Sequence, residues 1–183
     1  NRTLASNRFD PITGNYTEPK DMFVTLNHAL LQRSGNQARF ATAAYGILNC
    51  KTNALTYAGA GHPPALLKSI DQPYRLLDSD GPLLGVFDHD FDFIQSVIQL
   101  KHGDTLLLYS DGFESLCSPK NSSIETTSEH LEILSQCCGD PSNDVLGSVS
   151  RFLDRSITKS RDDDLTMICL QTSPEATSSK LAA

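Results

Sequence analysis

The segment GDTLLLYSDG at residues 103–112 largely decides how this sequence folds. Its apolar run Leu106–Tyr109 predicts a buried β-strand, and Gly103-Asp104 predicts the turn that leads into it. The strand runs directly into Ser110-Asp111-Gly112. Asp111 is therefore expected at the rim of the core, where Gly112 allows the backbone an unusual turn or a close approach.

A second acidic cluster precedes the last apolar segment of the chain. Asp162, Asp163 and Asp164 stand immediately before residues 165–171, which are apolar on both alternating faces. That pattern predicts a central strand covered on both sides. Period-two alternation would send Asp163 to one face and its two neighbours to the other.

Two chemical interpretations of these acidic clusters are open. Packed carboxylates repel one another, and a hard divalent cation would relieve that repulsion. Ligand sets made only of oxygen favour Mg²⁺ or Mn²⁺ over zinc, and two such ions about 4 Å apart can activate a water for attack on phosphorus. Alternatively, Asp111 only makes a turn and residues 162–164 form a solvated loop. The spacing by itself favours the turn and the solvated loop, because paired acidic turns are ordinary.

The rest of the chain predicts antiparallel sheets with helices against them, an α+β fold. Apolar residues at helical spacing predict a first helix, and short apolar runs separated by turn residues predict three hairpins. Residues 1–19 are expected to be irregular, residues 20–172 to form the domain and residues 173–183 to be a flexible tail. The predicted elements are helices at 20–34, 129–138 and 143–158, and strand pairs 40–50 with 54–58, 65–68 with 74–77, and 91–100 with 105–110.

Composition narrows the classes of partner and compartment. The formal charge of −7 over 183 residues argues against nucleic acid and anionic membranes as partners. No apolar run approaches the roughly 18 residues that span a bilayer, so no membrane association is expected. The five cysteines show no CxxC spacing, which supports neither a disulfide framework nor a thiolate zinc site. We expect a cytoplasmic protein with reduced thiols.

The segment AGAGHPPALL at residues 58–67 resembles the AGHPP segment of the SpoIIE-like and RsbU-like phosphatases. These bacterial proteins are a branch of the PPM metal-dependent protein Ser/Thr phosphatases. Further blocks resemble that family's landmarks in the same order, and the resemblance covers residues 20–172. These blocks are Asn27, Phe40-Ala41-Thr42, Gly81-Pro82-Leu83-Leu84-Gly85, residues 103–112, and Asp163-Asp164-Leu165-Thr166.

The resemblance implies a sandwich of antiparallel β-sheets flanked by helices. It also implies hydrolysis of phosphoserine or phosphothreonine on a regulatory protein by a metal-activated water, with no catalytic side chain acting as nucleophile. Two Mn²⁺ or Mg²⁺ ions would be held by Asp111 and Asp163, with Asp164 a weaker candidate and Gly112 beside them. In this branch the usual substrate is a STAS-type anti-sigma factor antagonist, and a sensor or receiver domain commonly lies upstream.

The histidines and the serine of the landmarks have different expected roles. His62, after Gly61 in the AGHPP-like turn, could touch the phosphate or a metal-bound water, or it could brace the turn through its ring nitrogens. Ser110 lacks the G-x-S-x-G pattern of a hydrolase nucleophile. The remaining histidines share no ligand spacing and are expected on the surface; they are His28, His89, His102 and His130.

The sequence also departs from the family pattern. An Asp-x-Ser-Gly-His-Gly block, which in the family supplies the aspartate that bridges both ions, is absent, and the position four after Asp111 is Ser115 instead of an acid. We expect a domain truncated on its N-terminal side, with an incomplete sandwich and little or no activity as an isolated chain. The alternative is a degenerate, noncatalytic phosphatase that serves as a protein-interaction module.

Overall fold

The computed structural model describes residues 16–33, 39–77, 80–88, 92–113, 129–138, 144–156 and 164–172. These residues divide between two compact units, one drawn from Asn1–Pro64 and Asp78–Gln99, the other from Ala65–Leu77 and Leu100–Ala183. The first unit contains α1 (Pro19–Arg33), β1 (Ala43–Asn49), β2 (Ala54–Ala60) and β5 (Gln95–Gln99). The second contains β3 (Ala65–Lys68), β4 (Arg75–Leu77), β6 (Thr105–Tyr109), α2 (Glu129–Cys137), α3 (Val145–Ser156) and β7 (Met167–Gln171).

The first unit is a three-stranded antiparallel sheet with a helix against it. The strand order is β1-β2-β5, and α1 contacts β1 and β2. Phe23 of α1 packs against Phe93 with ring centroids 5.4 Å apart. Ala58 and Ala60 on β2 are buried in the same cluster, and their small side chains let the helix approach the sheet closely.

The second unit is a four-stranded antiparallel sheet in the order β4-β3-β6-β7. Its core joins Leu66, Leu107 and Tyr109 of the sheet with buried residues of α2 and α3, such as Leu134 and Val149. The helix α3 begins behind Asp144, whose carboxylate accepts the backbone N–H of Gly147 at 3.0 Å and so caps the helix.

The predicted α+β class and most of the predicted elements are confirmed. All three helices form within two or three residues of their expected ends, and the first two hairpins pair antiparallel as β1 with β2 and β3 with β4. The outer segments, residues 1–15 and 173–183, lie outside the described residues. No helix in the described part of the chain is long and apolar enough to cross a bilayer.

The expected hairpin between residues 91–100 and 105–110 is wrong. Its first strand, β5, pairs with β2 in one sheet, whereas β6 pairs with β3 and β7 in the other. The turn between them does form, closed by the Asp104 N–H donating to the Lys101 carbonyl at 3.1 Å. A turn reverses the chain locally but does not choose the neighbour of the strand that follows. Here β6, buried along almost its whole length, takes a central position.

Two further expectations are corrected. Among the strands that the structure describes, the last one is an edge strand with β6 as its neighbour, not a central strand, and Ile168 is 59% exposed. His130 is not on the surface: it lies in the first turn of α2, 5% exposed, with its ring edge-on to Tyr109 at 5.9 Å. His28 and His102 are exposed as expected, and His89 lies outside the described residues.

Candidate metal centre

The antiparallel pairing of β6 with β7 brings the two acidic segments together. The register pairs Tyr109 with Met167, and beyond the strand ends the Ser110 N–H donates to the Thr166 carbonyl at 3.0 Å. Asp111 lies just after β6 and Asp164 just before β7, so both lie at the same end of this strand pair, and both are exposed. Residues more than fifty positions apart in the sequence therefore present carboxylates at one end of the second unit.

Ser110 holds this end together with its side chain. The Ser110 hydroxyl accepts the Thr166 N–H at 2.9 Å and donates to the Asp164 carbonyl at 3.2 Å. The Ser110 carbonyl meanwhile accepts the Phe113 N–H at 3.1 Å, which closes a turn around Asp111 and Gly112. A hydroxyl engaged in this way has a structural partner on each side, which agrees with the expectation that Ser110 is no nucleophile.

Gly112 is where the two segments touch. A Cβ atom at Gly112 would stand 2.3 Å from the Asp164 carbonyl oxygen and 3.0 Å from its carbon. Real Cβ atoms do not approach backbone this closely, so the absence of a side chain permits the contact. The predicted close approach at Gly112 is thus present, and its neighbour is the second acidic segment.

The side chains at this end of the strand pair are of a type that binds hard divalent cations. Asp111 and Asp164 offer carboxylate oxygens, the ligand type that Mg²⁺ and Mn²⁺ take. Asp163, the other expected ligand, lies outside the described residues. Within the described part of the chain no group of three or more His, Cys, Asp or Glu side chains is placed to hold a metal ion. The described residues therefore bring two carboxylates of a suitable kind to one end of the second unit, and no cluster among them makes up a metal site.

The AGHPP-like turn lies in the first unit. Gly61 has a φ of +61°, its N–H donates to the Gly81 carbonyl at 2.7 Å, and a Cβ there would meet Leu83 Cγ at 2.9 Å. His62 is half-buried, and its Nδ1 lies 3.4 Å from the Thr42 hydroxyl. This hydrogen bond favours the bracing role for His62 over direct work on a phosphate.

The role of Asn27 was not found from the sequence. Asn27 is 5% exposed on α1, and its side chain accepts the Gly85 N–H at 2.7 Å and donates to the Phe87 carbonyl at 3.2 Å. It therefore ties the segment 80–88 to the helix. The available signal was a polar amide among the inward-facing apolar positions of α1, since a buried amide must find partners.

Comparison with known proteins identifies the family of this chain. Residues 2–173 match the model of the family described as stage II sporulation protein E (SpoIIE). Among curated relatives, phosphoserine phosphatase RsbU of Bacillus subtilis (strain 168) is 29% identical over 166 residues, 88% of this chain and 47% of that protein. Phosphoserine phosphatase RsbP of the same organism is 33% identical over 85 residues, 46% of this chain and 21% of that protein. The chain thus spans half or less of the length of these relatives.

Solved structures share the fold. The SiaA-PP2C domain of Pseudomonas aeruginosa superposes with a TM-score of 0.73 at 15% identity, covering 94% of this chain and 67% of that one. The manganese-presoaked phosphatase domain of SpoIIE from Bacillus subtilis superposes with a TM-score of 0.61 at 20% identity, covering 94% and 74%. With the family model matching nearly the whole sequence, the chain belongs to the SpoIIE family and has the fold of PP2C phosphatase domains.

Proposed function

We propose that this chain is a metal-dependent protein phosphatase domain that hydrolyses phosphoserine or phosphothreonine on a regulatory protein. The observation that carries the proposal is the pairing of β6 with β7, which sets Asp111 and Asp164 at one strand end. Membership of the SpoIIE family and the names of RsbU and RsbP, both phosphoserine phosphatases, support it.

Each of the expected site residues has a role in this proposal. Asp111, Asp163 and Asp164 would hold the divalent cations, Mn²⁺ or Mg²⁺. Gly112 supports this proposal, because it lets the turn at Asp111 lie against the backbone of Asp164. The ions, when bound, supply a Lewis acid for the phosphoryl oxygens and activate a water for attack on phosphorus. Gly61 and His62 shape the turn of the first unit, where His62 braces against Thr42. The manganese-presoaked SpoIIE structure supports the choice of a divalent metal.

The proposed substrate is a phosphorylated regulatory protein of the class of STAS-type anti-sigma factor antagonists. The family resemblance implies this substrate class, and the names of the relatives RsbU and RsbP, both phosphoserine phosphatases, support phosphoserine as the group that is hydrolysed. We place the reaction in the cytoplasm, in line with a cysteine pattern in the sequence that supports no disulfide framework. An upstream sensor or receiver domain would then control the activity.

The test is manganese-dependent hydrolysis of p-nitrophenyl phosphate and of a phosphoserine peptide, by this chain and by the full-length gene product. Asp111→Asn keeps the shape of the side chain but removes the charge, and should lower kcat/KM at least about 100-fold. Asp154→Asn is the matched control, because Asp154 is an exposed carboxylate on α3 in the same unit. Full turnover in Asp111→Asn, or an equal loss in Asp154→Asn, would contradict the assigned metal role.

One observation favours the alternative of a noncatalytic interaction module. The position four after Asp111 is Ser115, where the family often has an acidic residue. Calorimetry separates the two functions. If the full-length gene product takes up no Mn²⁺ yet still binds its regulatory partner, the interaction module is the correct function.

A further inference from the structure

Hydroxyl side chains bridge both ends of the β6–β7 pair. At one end the Ser110 hydroxyl joins Thr166 N–H and the Asp164 carbonyl. At the other end the Thr172 hydroxyl accepts the Asp104 N–H at 2.9 Å and donates to the Lys101 carbonyl at 2.5 Å. The two bridges are chemically alike, but only the Ser110 bridge lies beside the acidic segments.

The Ser110 hydroxyl accepts a hydrogen bond that the Ser110 backbone carbonyl would accept in a regular antiparallel pair. In an antiparallel pair, residues that face each other exchange two N–H to carbonyl bonds. Ser110 and Thr166 make one of them, Ser110 N–H to Thr166 carbonyl. The Ser110 carbonyl is turned toward the Phe113 N–H to close the turn at Asp111, and the hydroxyl accepts the Thr166 N–H. The side chain thus lets the chain turn at Asp111 while the pairing with the β7 segment continues.

The second bond of this hydroxyl reaches the acidic segment itself. Because it donates to the carbonyl of Asp164, it fixes the backbone of that residue relative to Asp111. An alanine at position 110 would keep the strand and the turn but would lose both bonds. Carboxylate ligands must be held within a few tenths of an ångström for tight binding, and the groups that orient them typically change metal affinity by about 10- to 100-fold.

We propose that Ser110 is a positioning residue of the cation site, which sets the distance between the Asp111 turn and the Asp164 segment through its hydroxyl. This inference rests on the proposed function, since it assigns Ser110 a role toward the same ions. Ser110 touches neither the substrate nor the water in this scheme. It acts through the backbone of Asp164 and through the turn that carries Asp111.

The experiment measures Mn²⁺ affinity by calorimetry and, separately, unfolding by urea in EDTA, on the full-length gene product. Ser110→Ala should raise the Mn²⁺ dissociation constant about tenfold or more. Ser110→Thr retains a hydroxyl and should restore most of the affinity. Thr172→Val is the matched control, because it removes the equivalent bridge at the far end; it should cost stability but leave Mn²⁺ affinity within about twofold of the wild type.

The outcomes separate this inference from the function on which it rests. If the wild type takes up no Mn²⁺, the proposed function fails and the positioning role fails with it. If the wild type binds Mn²⁺ and Ser110→Ala binds it equally well, or if Thr172→Val weakens binding as much as Ser110→Ala, the positioning role alone is overturned. Should Ser110→Ala not fold, Ser110→Cys supplies the second variant: its thiol fills the site but bonds weakly, and it too should bind Mn²⁺ less tightly than Ser110→Thr.

Discussion

Ser110, Asp111 and Gly112 are three consecutive residues that contribute in different ways to the proposed cation site. The serine contributes a hydroxyl that bridges to the opposite segment, the aspartate a carboxylate and the glycine the lack of a side chain. None of these contributions can replace another, since a bond donor, a negative charge and free space are different physical requirements. The site is therefore sensitive to substitution at each of the three positions for a separate reason.

Gly112→Ala tests the close approach to Asp164. The added Cβ would stand 2.3 Å from the Asp164 carbonyl oxygen, so one of the two segments must move. We expect a loss of about 1–3 kcal/mol in the free energy of unfolding, the usual cost of overpacking, together with weaker Mn²⁺ binding. Urea unfolding and calorimetry measure the two effects.

Gly46→Ala on β1 is the control for this substitution. Its Cβ would meet the end of the Leu55 side chain at 3.1 Å, which can give way, so the stability cost should be smaller and Mn²⁺ binding should not change. Wild-type stability and wild-type Mn²⁺ affinity in Gly112→Ala would show that the two segments are not held together as described.

At the scale of single residues, the sequence predicted which residues carry the functional groups better than it predicted what those residues contact. Asp111 at a strand end and the close approach at Gly112 follow from residue type and neighbours. The bridging role of Ser110 could not be predicted, because it depends on its carbonyl being used by the Phe113 turn and on Thr166 standing opposite. The burial of His130 was missed for a similar reason, since its place against the Tyr109 ring is decided by how α2 packs on the sheet.

At the scale of elements, local patterns identified helices and strands but not all of their partners. The apolar pattern of the β6 segment predicts a buried strand, and the structure has a buried strand there. Its neighbours β3 and β7 come from distant parts of the chain, so the turn at residues 101–104 gave a misleading hairpin. The apolar composition of β7 likewise suggested a central strand, although as an edge strand it leaves Ile168 exposed.

The thiols at the end of α2 and on β7 predict a pH dependence of stability. The pKa of the Cys138 thiol is raised from 9.0 to about 12, first by burial and then by the neighbouring Cys169 and Cys137, while Lys68 lowers it. Because the folded state favours the neutral thiol, its contribution is complete below pH 9, the unfolded value, and is lost as the pH rises toward 12. The free energy of unfolding should therefore fall between pH 9 and about pH 12, by at most about 1.4 kcal/mol per pH unit for this one proton.

Cys138→Ala isolates the thiol from other groups that titrate in alkali. The variant should be less stable than the wild type at neutral pH because it leaves a small cavity in the core, but its stability should fall less steeply with pH. Urea unfolding of both proteins across this pH range gives the comparison. Parallel slopes for the two proteins would show that ionisation of Cys138 does not contribute.

At the scale of the whole molecule, the resemblance to a family predicted more than hydrophobic periodicity did. Spaced blocks from Asn27 to Asp164 predicted membership of the SpoIIE family, which the family match over residues 2–173 confirms. The α+β class followed from the alternation of helical and strand patterns. The division into two compact units, each with its own buried cluster, could not be predicted, since it depends on which strands pair across the sequence.

The most direct test of the central claim is an anomalous difference map from crystals of the full-length gene product soaked in manganese. The account predicts a peak about 2.1–2.2 Å from a carboxylate oxygen of Asp111, at the end of β6 and beside the segment that begins β7. The same soak of Asp111→Asn should lose or weaken that peak. A manganese peak bound elsewhere in the molecule, with the Asp111 carboxylate turned away from it, would contradict the account.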